Sequence, residues 1–248
     1  MRIGAQLYTV RNFCKTTEGI SETLKKVSDM GYEYVQISGT CEYEAEWMKE
    51  ELSKNGLSCV LTHPSYAKIM EQPEKVAAEH SIFGCDCIGL GYFVINIEKG
   101  ETPDLLAEKY LSSAKVFKES GKYFMYHNHD QEFARYNGKT IIEHYAEMMP
   151  ADVMGFTIDT YWVQTAGGDP AQWIEKLSGR VPCIHLKDHT FDRKMAVVGE
   201  GNINFDRVFA AAQKAGTEFL LVEQDDCYGE DPFACLARSH DYVKAMKV

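Results

Sequence analysis

Residues 182–223, PCIHLKDHTFDRKMAVVGEGNINFDRVFAAAQKAGTEFLLVE, contain one complete unit of strand, helix and strand. The apolar runs Pro182 to Leu186 and Phe219 to Glu223 have the length of buried strands. Between them, a stretch with helical spacing opens near Asn204 and ends at Ala215-Gly216, where glycine suits the left-handed position after a helix. This order predicts two parallel strands joined by a crossover helix.

The same unit recurs along the whole chain. Six further apolar runs have the length of a strand: Ile3 to Tyr8, Tyr34 to Ile37, Ser58 to Thr62, Cys87 to Leu90, Tyr123 to His127 and Gly155 to Asp159. Helices are expected to open near Ile20, Tyr43, Pro73, Pro103, Thr140, Pro170, Asn204 and Pro232, and glycine follows four more of them at Gly31, Gly56, Gly84 and Gly121. Eight such units without a linker favour a closed barrel over an open doubly wound sheet. We therefore predict an α/β protein with a single (β/α)₈ TIM-barrel domain, residues 1–248.

Composition and charge exclude several classes of function. The chain is 45% hydrophobic and 25% charged, enough to bury a substantial core, and its formal net charge of -11 without a basic patch disfavours nucleic acid as a partner. The N-terminus has no signal-peptide pattern and no apolar run spans a bilayer, so we expect a cytoplasmic protein that does not bind membranes. Cys59, Cys87 and Cys183 lie in strand runs, and the Cys85-Asp-Cys87 spacing is too short for a zinc pair, which predicts reduced, buried thiols.

Polar side chains close four neighbouring predicted strands, where a barrel places its active site. The fifth unit reads YHNHDQEF over residues 126–133, the sixth strand ends at Asp159, the seventh contains His185, and the eighth ends at Glu223. Converging carboxylates and imidazole suit a divalent ion, with Mn²⁺ or Mg²⁺ favoured and Co²⁺ or Zn²⁺ open. Such an ion can hold a carbonyl and a neighbouring hydroxyl and stabilise an enediolate. The sequence therefore predicts metal-assisted proton transfer between adjacent carbons.

A family resemblance rests on six motifs and covers essentially the whole chain. They are Gly4-Ala-Gln-Leu-Tyr-Thr-Val-Arg11, Gly31-Tyr-Glu-Tyr-Val-Gln-Ile37, Tyr126-His-Asn-His-Asp-Gln-Glu-Phe133, Asp159-Thr-Tyr-Trp162, His185-Leu-Lys-Asp188 and Gly199-Glu-Gly-Asn-Ile-Asn-Phe205. In their order and spacing the chain resembles the sugar phosphate isomerase/epimerase family of the xylose isomerase-like barrels. That group also includes endonuclease IV-like enzymes, inosose dehydratases and ketose 3-epimerases.

The resemblance implies a metal site of two glutamates, one aspartate and one histidine. Asp159, His185 and Glu223 match the ligands that follow the sixth, seventh and eighth strands. Relatives often end the fifth strand with the first glutamate, whereas this chain has His127 there. We expect Glu132 to be the fourth ligand, with His127 or His129 as its rival.

The resemblance also implies roles around the metal. In the ketose epimerases the two metal-bound glutamates act as the acid and base, which gives Glu132 and Glu223 that second role here, and His129 is a further catalytic candidate. Those epimerases carry a histidine three residues after the aspartate, where this chain has Trp162, which indicates a sugar-stacking surface.

Five residues are candidates for contacts at the mouth of the barrel. Lys187 lies two residues beyond His185, on the same face of the strand, and could hold an oxyanion or a phosphate. His63 could bond a substrate hydroxyl, Tyr8 and Gln6 could line the pocket floor, and His127 could bind substrate if it is not a ligand. No phosphate-binding glycine loop follows the seventh or eighth strand, which favours an unphosphorylated sugar or keto-polyol.

Three alternative functions stay open at this point. A lyase of the same fold, dehydrating an inosose or eliminating an aglycone from a 3-keto-glycoside, needs the same acidified C–H. An endonuclease IV-like DNA-repair enzyme needs more histidine ligands and a basic surface, and the net charge counts against it. A sugar-binding protein without catalysis is the third alternative, and a homo-oligomer is compatible with any of the four.

Overall fold

Eight parallel strands close into a barrel in this computed structural model, which describes residues 1–247. They are β1 (Arg2–Gln6), β2 (Tyr34–Ile37), β3 (Ser58–Thr62), β4 (Cys87–Leu90), β5 (Tyr123–His127), β6 (Met154–Asp159), β7 (Cys183–Leu186) and β8 (Phe219–Val222). Each strand pairs with its neighbours in sequence, and β1 closes the barrel on β8, from Arg2 opposite Phe219 to Ala5 opposite Val222. The predicted (β/α)₈ TIM barrel is confirmed.

Within residues 1–247, ten α-helices cover the barrel, where eight were expected. They are α1 (Thr17–Asp29), α2 (Ala45–Lys54), α3 (Tyr66–Glu71), α4 (Pro73–Ile82), α5 (Asp104–Glu119), α6 (Ile141–Met148), α7 (Thr160–Thr165), α8 (Pro170–Lys176), α9 (Phe205–Ala215) and α10 (Pro232–Ala245). The third crossover is divided because Pro73 lacks the backbone N–H that would continue α3. The sixth is divided at Gly167, which has a φ of 81°.

The strand bounds agree closely with the apolar runs. β2 to β5 have the predicted bounds, β6, β7 and β8 differ by one residue at one end, and β1 differs by one residue at its start and two at its end. β1 ends earlier than expected, because Leu7–Phe13 turns into a 3-10 helix. Gly216 follows α9 with a φ of 78°, which only glycine adopts at little cost, and the other four predicted joint glycines also have positive φ.

Alternating side chains divide the core into two parts. Val60, Leu61, Met125, Cys183 and Leu221 form a small buried cluster inside the barrel. The intervening residues point outward and join the helices in a much larger core. Inward positions nearer the carboxyl ends of the strands are polar, so the barrel is apolar in its middle and polar at its mouth.

All eight cysteines are free thiols, and these include the four that were predicted to be reduced, Cys59, Cys85, Cys87 and Cys183. Cys59, Cys85 and Cys183 are buried, and Cys87 is half-buried. None of the helices within residues 1–247 is long and apolar enough to cross a bilayer.

A buried histidine between β3 and α4 makes the stability of the barrel pH-dependent. His80 donates from Nδ1 to the Val76 carbonyl at 2.7 Å and accepts at Nε2 from the Thr62 hydroxyl at 2.6 Å. Burial lowers the pKa of His80 from 6.5 to about 4. The unfolded chain therefore takes up a proton at this residue at a higher pH than the folded protein does.

We expect His80 to lower the free energy of unfolding as the pH falls from about 6.5 to about 4, by up to about 3 kcal/mol. The effect is absent above this window, where His80 is neutral in both states. Urea unfolding of the wild type and His80→Asn across this range measures it, because the substitution removes the titrating group. Wild-type and variant stabilities that run parallel with pH would contradict this assignment.

Candidate functional site

Four strands bring polar side chains to one point at the mouth of the barrel. His127 and Asp159 end β5 and β6, His185 lies on β7, and Glu223 directly follows β8. Each continues the inward alternation of its strand, as His127 does after Met125. Parallel barrel strands end at a common rim, so these four residues, called the mouth cluster below, converge as a result of the fold.

The mouth cluster has the dimensions of a metal site. Each member offers one nitrogen or oxygen, and the four atoms lie within 4.8 Å of one another in a fully buried setting. His127 Nε2 lies 3.2 Å from Asp159 Oδ2. His185 Nδ1 lies 2.9 Å from Glu223 Oε2 and 3.7 Å from the aspartate oxygen. His185 Nδ1 and Glu223 Oε2 nevertheless make no hydrogen bond of acceptable geometry.

Hydrogen bonds on the far side of each imidazole explain this arrangement. Nδ1 of His127 lies 3.1 Å from the Gly91 carbonyl, and Nε2 of His185 lies 2.6 Å from Oε1 of Gln36. A neutral imidazole has a single N–H, so donation to these oxygens leaves a lone pair on the nitrogen that faces the cluster. Histidines that bind metals commonly have such an outer partner. When both imidazoles are neutral, the cluster presents only electron-pair donors toward its centre, and this donor set fits a divalent cation.

The two carboxylate oxygens of Asp159 have different partners. Its Oδ1 accepts from the backbone N–H of Trp162 at 3.1 Å and caps α7, while its Oδ2 faces the mouth cluster. Its own N–H donates to Oδ1 of Asn128 at 3.0 Å. Burial opposes ionisation of this carboxyl, but the Lys187 ammonium and the nearby imidazoles hold its pKa well below the usual range.

Lys187 adds one positive charge beside three carboxyl groups. Its Nζ lies 3.2 Å from Asp159 Oδ2, 3.3 Å from Glu223 Oε2 and 2.8 Å from Asp225 Oδ2, with 1% of the side chain exposed. Burial, followed by the Glu223 charge, raises the pKa of Asp225 to about 6. Burial opposes protonation of His185, but Glu223 and Asp159 outweigh it and raise the pKa of His185 to about 9. The carboxylates outnumber the one ammonium, and because its pKa lies above neutrality, His185 carries a proton that offsets part of this negative charge. Metal ligands bind an ion in their deprotonated form, so a divalent cation in the cluster would take the place of that proton.

The family model for xylose isomerase-like TIM barrels matches residues 24–246. This chain belongs to that family. A comparison with curated protein sequences gave no match.

Solved structures support the same fold over almost the whole chain. A sugar phosphate isomerase/epimerase from Parabacteroides distasonis ATCC 8503 is 22% identical, covering 98% of this chain and 93% of its own, with a TM-score of 0.85. A probable 3-DHS dehydratase, AsbF, from Bacillus anthracis is 15% identical, with 98% and 99% covered and a TM-score of 0.73. An L-ribulose 3-epimerase is 15% identical, with 98% and 93% covered and a TM-score of 0.72. At these sequence identities the comparisons show that the proteins share a fold.

In this xylose isomerase-like barrel, Glu132 lies apart from the mouth cluster. Its Oε1 accepts from the Tyr126 hydroxyl at 2.7 Å, and its Oε2 accepts from the backbone N–H of His129 at 2.7 Å. Tyr126 points outward from β5 onto Tyr145 of α6. Glu132 therefore holds the loop after β5 against the outside of the barrel, and the fourth place in the cluster is taken by His127, its rival in the sequence.

The remaining predicted residues line a cavity of about 640 Å³ above the mouth cluster. His127 and Glu223 border this cavity, together with Tyr8, Gln6, His63, His129, Trp162 and Lys187. The His129 ring lies 4.7 Å from the His127 ring and 5.3 Å from Trp162. The structure thus brings every predicted site residue except Glu132 to one cavity or to the cluster beneath it.

A polar relay on the opposite wall was not predicted. Gln36, whose Oε1 accepts from His185, donates from Nε2 to Nε2 of His63 at 3.0 Å, and His63 Nδ1 lies 3.2 Å from the Ser38 hydroxyl. Burial and the neighbouring imidazoles hold the pKa of His63 well below its usual value. Gln36 and Ser38 occupy alternate inward positions along and just after β2, and that alternation could have identified them. Asp225 lies beyond the last strand, where no periodicity points to it.

Proposed function

We propose that this protein is a divalent-metal-dependent isomerase or epimerase of a small sugar or keto-polyol. It removes a proton from the carbon next to a carbonyl and returns a proton either to the neighbouring carbon, as an isomerase, or to the opposite face of the same carbon, as an epimerase. The observation that carries the proposal is the orientation of two buried imidazoles. Both are hydrogen-bonded on their outer side, so each neutral imidazole can direct a lone pair toward the cluster, where carboxylate oxygens lie 2.9 to 3.7 Å away. Buried carboxylates at this spacing need positive charge between them, and a divalent ion can displace the proton that His185 carries in its absence.

The mouth cluster would hold the ion, which when bound would polarise a substrate carbonyl and offset negative charge on the neighbouring oxygen. Glu223 is the one carboxylate of the cluster that also borders the cavity. Lys187 and His185 keep its pKa well below the usual range despite burial, so the group is an ionised carboxylate. We assign to Glu223 the removal of the proton from the carbon that bears the hydroxyl and lies next to the carbonyl.

Other residues of the cavity would bind and orient the substrate. Lys187 places a charged N–H donor beside Glu223, where it can hold an oxygen on which negative charge develops. His129 Nδ1, which has no hydrogen-bond partner, can bond a sugar hydroxyl, whereas both ring nitrogens of His63 are held by Gln36 and Ser38. Trp162 lies 5.3 Å from His129 and offers an aromatic face to the apolar side of a sugar ring.

A lyase reaction is the second candidate. It begins with the same proton removal and differs only when a group on the next carbon leaves. The cavity is larger than one sugar ring, which leaves room for a leaving group. One of the structural neighbours, AsbF, is a probable dehydratase.

Deuterium exchange tests the proposal. Protein loaded with Mn²⁺ is incubated in D₂O with a panel of ketoses, aldoses, keto-inositols and 3-keto-glycosides, and products are followed by NMR and mass spectrometry. An isomerase or epimerase introduces deuterium at one carbon without loss of a group, whereas a lyase releases water or an aglycone. If the Mn²⁺-loaded protein causes neither change in any member of the panel, the proposed function is refuted.

A further inference from the structure

A continuous chain of hydrogen bonds joins His185 to Gln36, His63 and Ser38, and we call these four residues the relay. Nε2 of His185 lies 2.6 Å from Oε1 of Gln36. Nε2 of Gln36 lies 3.0 Å from Nε2 of His63, and Nδ1 of His63 lies 3.2 Å from the Ser38 hydroxyl. Gln36 and His185 are fully buried, whereas His63 and Ser38 border the mouth cavity. The relay therefore connects the mouth cluster to the wall of the cavity.

The amide of Gln36 fixes the direction of each hydrogen bond in the relay. Its nitrogen can only donate, so Nε2 of His63 is an acceptor, and the neutral His63 ring donates from Nδ1 to the oxygen of Ser38. Its oxygen can only accept, so Nε2 of His185 carries a proton. Nδ1 of His185, which lies 2.9 Å from Glu223 Oε2, is then the nitrogen left to bind an ion.

Close packing fixes the position of the His63 ring. The backbone N–H of His63 donates to the Ile37 carbonyl at 3.1 Å, which holds the residue against β2. The ring lies against Gly89 and Gly91, where a Cβ would come within 2.6 Å and 2.7 Å of ring atoms. Only glycine permits so close an approach. The ring therefore keeps its Nε2 edge against Gln36, and neither of its nitrogens is left for a substrate hydroxyl.

We propose that Gln36 and His63 are positioning residues for His185, and that His63 acts in this way and not as a substrate contact. This inference rests on the metal site of the proposed function. The nitrogen of an imidazole that binds a metal is set by the hydrogen bond that the other nitrogen makes. Gln36 holds the proton of His185 on Nε2, and the lone pair of His63 holds the Gln36 amide in the orientation that this requires.

Mn²⁺ titrations followed by EPR spectroscopy measure the contribution of the relay. Gln36→Met keeps the length of the side chain and His63→Phe keeps a ring, but each removes the hydrogen bonds. We expect the Mn²⁺ affinity to fall by about 10- to 100-fold in both proteins, as is usual when the outer partner of a metal-binding histidine is lost. Gln36→Glu retains an acceptor for Nε2 of His185 and should bind Mn²⁺ within about threefold of the wild type.

His80→Asn is the matched control, because His80 is also a buried histidine with two hydrogen bonds, which it makes to Thr62 and Val76 outside the relay. Its Mn²⁺ affinity should equal that of the wild type. Imidazole ¹⁵N NMR adds a measurement that a general loss of packing would not change. We expect Nε2 of His63 to carry no proton in the metal-free wild type, and Nε2 of His185 to carry one in the Zn²⁺-loaded wild type.

Three results would overturn the positioning role. They are a proton on Nε2 of His63 in the wild type, Mn²⁺ affinities of Gln36→Met and His63→Phe that equal the wild-type affinity, and a loss in Gln36→Glu as large as that in Gln36→Met. With normal Mn²⁺ binding by the wild type, each of these results refutes the positioning role alone. A wild type that binds no Mn²⁺ refutes both this inference and the proposed function.

Discussion

Replacing Glu223 by glutamine is expected to slow solvent-deuterium exchange into the substrate by about 10³-fold. Glutamine keeps the shape of the side chain and one oxygen, but it cannot accept a proton at neutral pH. The rates are compared at Mn²⁺ concentrations that saturate each protein, so that weaker metal binding does not contribute to the loss. The remaining binding residues still hold the substrate, so KM should change much less than kcat.

Glu200→Gln is the control for the loss of a carboxylate elsewhere. Glu200 pairs with Arg238 at 2.8 Å on the protein surface and does not border the mouth cavity. The Glu200→Gln protein should exchange deuterium into the substrate at the wild-type rate. A Glu223→Gln protein that retains more than about a fifth of the wild-type rate would contradict the role of Glu223 as the base, since acid–base groups contribute about 10²-fold or more.

Replacing Lys187 by methionine should make the stability of the barrel depend on metal. The substitution removes the ammonium that lies within 3.3 Å of three carboxylates in a buried setting. In the presence of a chelator we expect the free energy of unfolding to fall by about 3–5 kcal/mol, because uncompensated charges stay buried. A divalent ion in the mouth cluster restores the compensation. Excess Mn²⁺ should therefore stabilise Lys187→Met more than it stabilises the wild type.

Lys122→Met provides the matched comparison. Lys122 is also buried, but it pairs with Asp86 at 2.9 Å at the opposite end of the barrel, just before β5. Its loss should reduce stability by the same amount with and without Mn²⁺. Chemical unfolding of the three proteins in chelator and in Mn²⁺ measures these differences. If Mn²⁺ stabilises Lys187→Met no more than Lys122→Met, the carboxylates around Lys187 do not face a metal site.

The fold could be predicted from the sequence because every barrel strand is a short apolar run. Residues 34–37 and 123–127 have the predicted bounds, since every side chain after the half-buried first residue of each strand is buried against the helices or inside the barrel. The divided crossovers at Pro73 and Gly167 were missed. A proline or glycine in a crossover is compatible with one helix or with two shorter helices. Packing against the barrel decides between these alternatives.

The candidate site was predictable where alternation along a strand applies and not elsewhere. Asp159 and His185 stand at inward positions of strands with clear periodicity. Glu132 was preferred as a ligand by analogy with relatives, although it follows the strand, where alternation no longer defines a direction. The inward series of β5 continues from Met125 to His127 and could have indicated the histidine. The contact of Lys187 with Asp225 depends on two loops meeting in space, and no local pattern encodes it.

Metal content of the purified protein tests the central claim most directly. Wild-type protein is loaded with Mn²⁺, freed of unbound ion by gel filtration and analysed for metal, together with Asp159→Asn/His185→Gln, His127→Ala and Glu132→Gln. We predict close to one ion per chain in the wild type and in Glu132→Gln, and almost none in the other two proteins. A wild type that retains no Mn²⁺, Mg²⁺, Co²⁺ or Zn²⁺ after loading, or a double variant that retains the ion, would contradict the account.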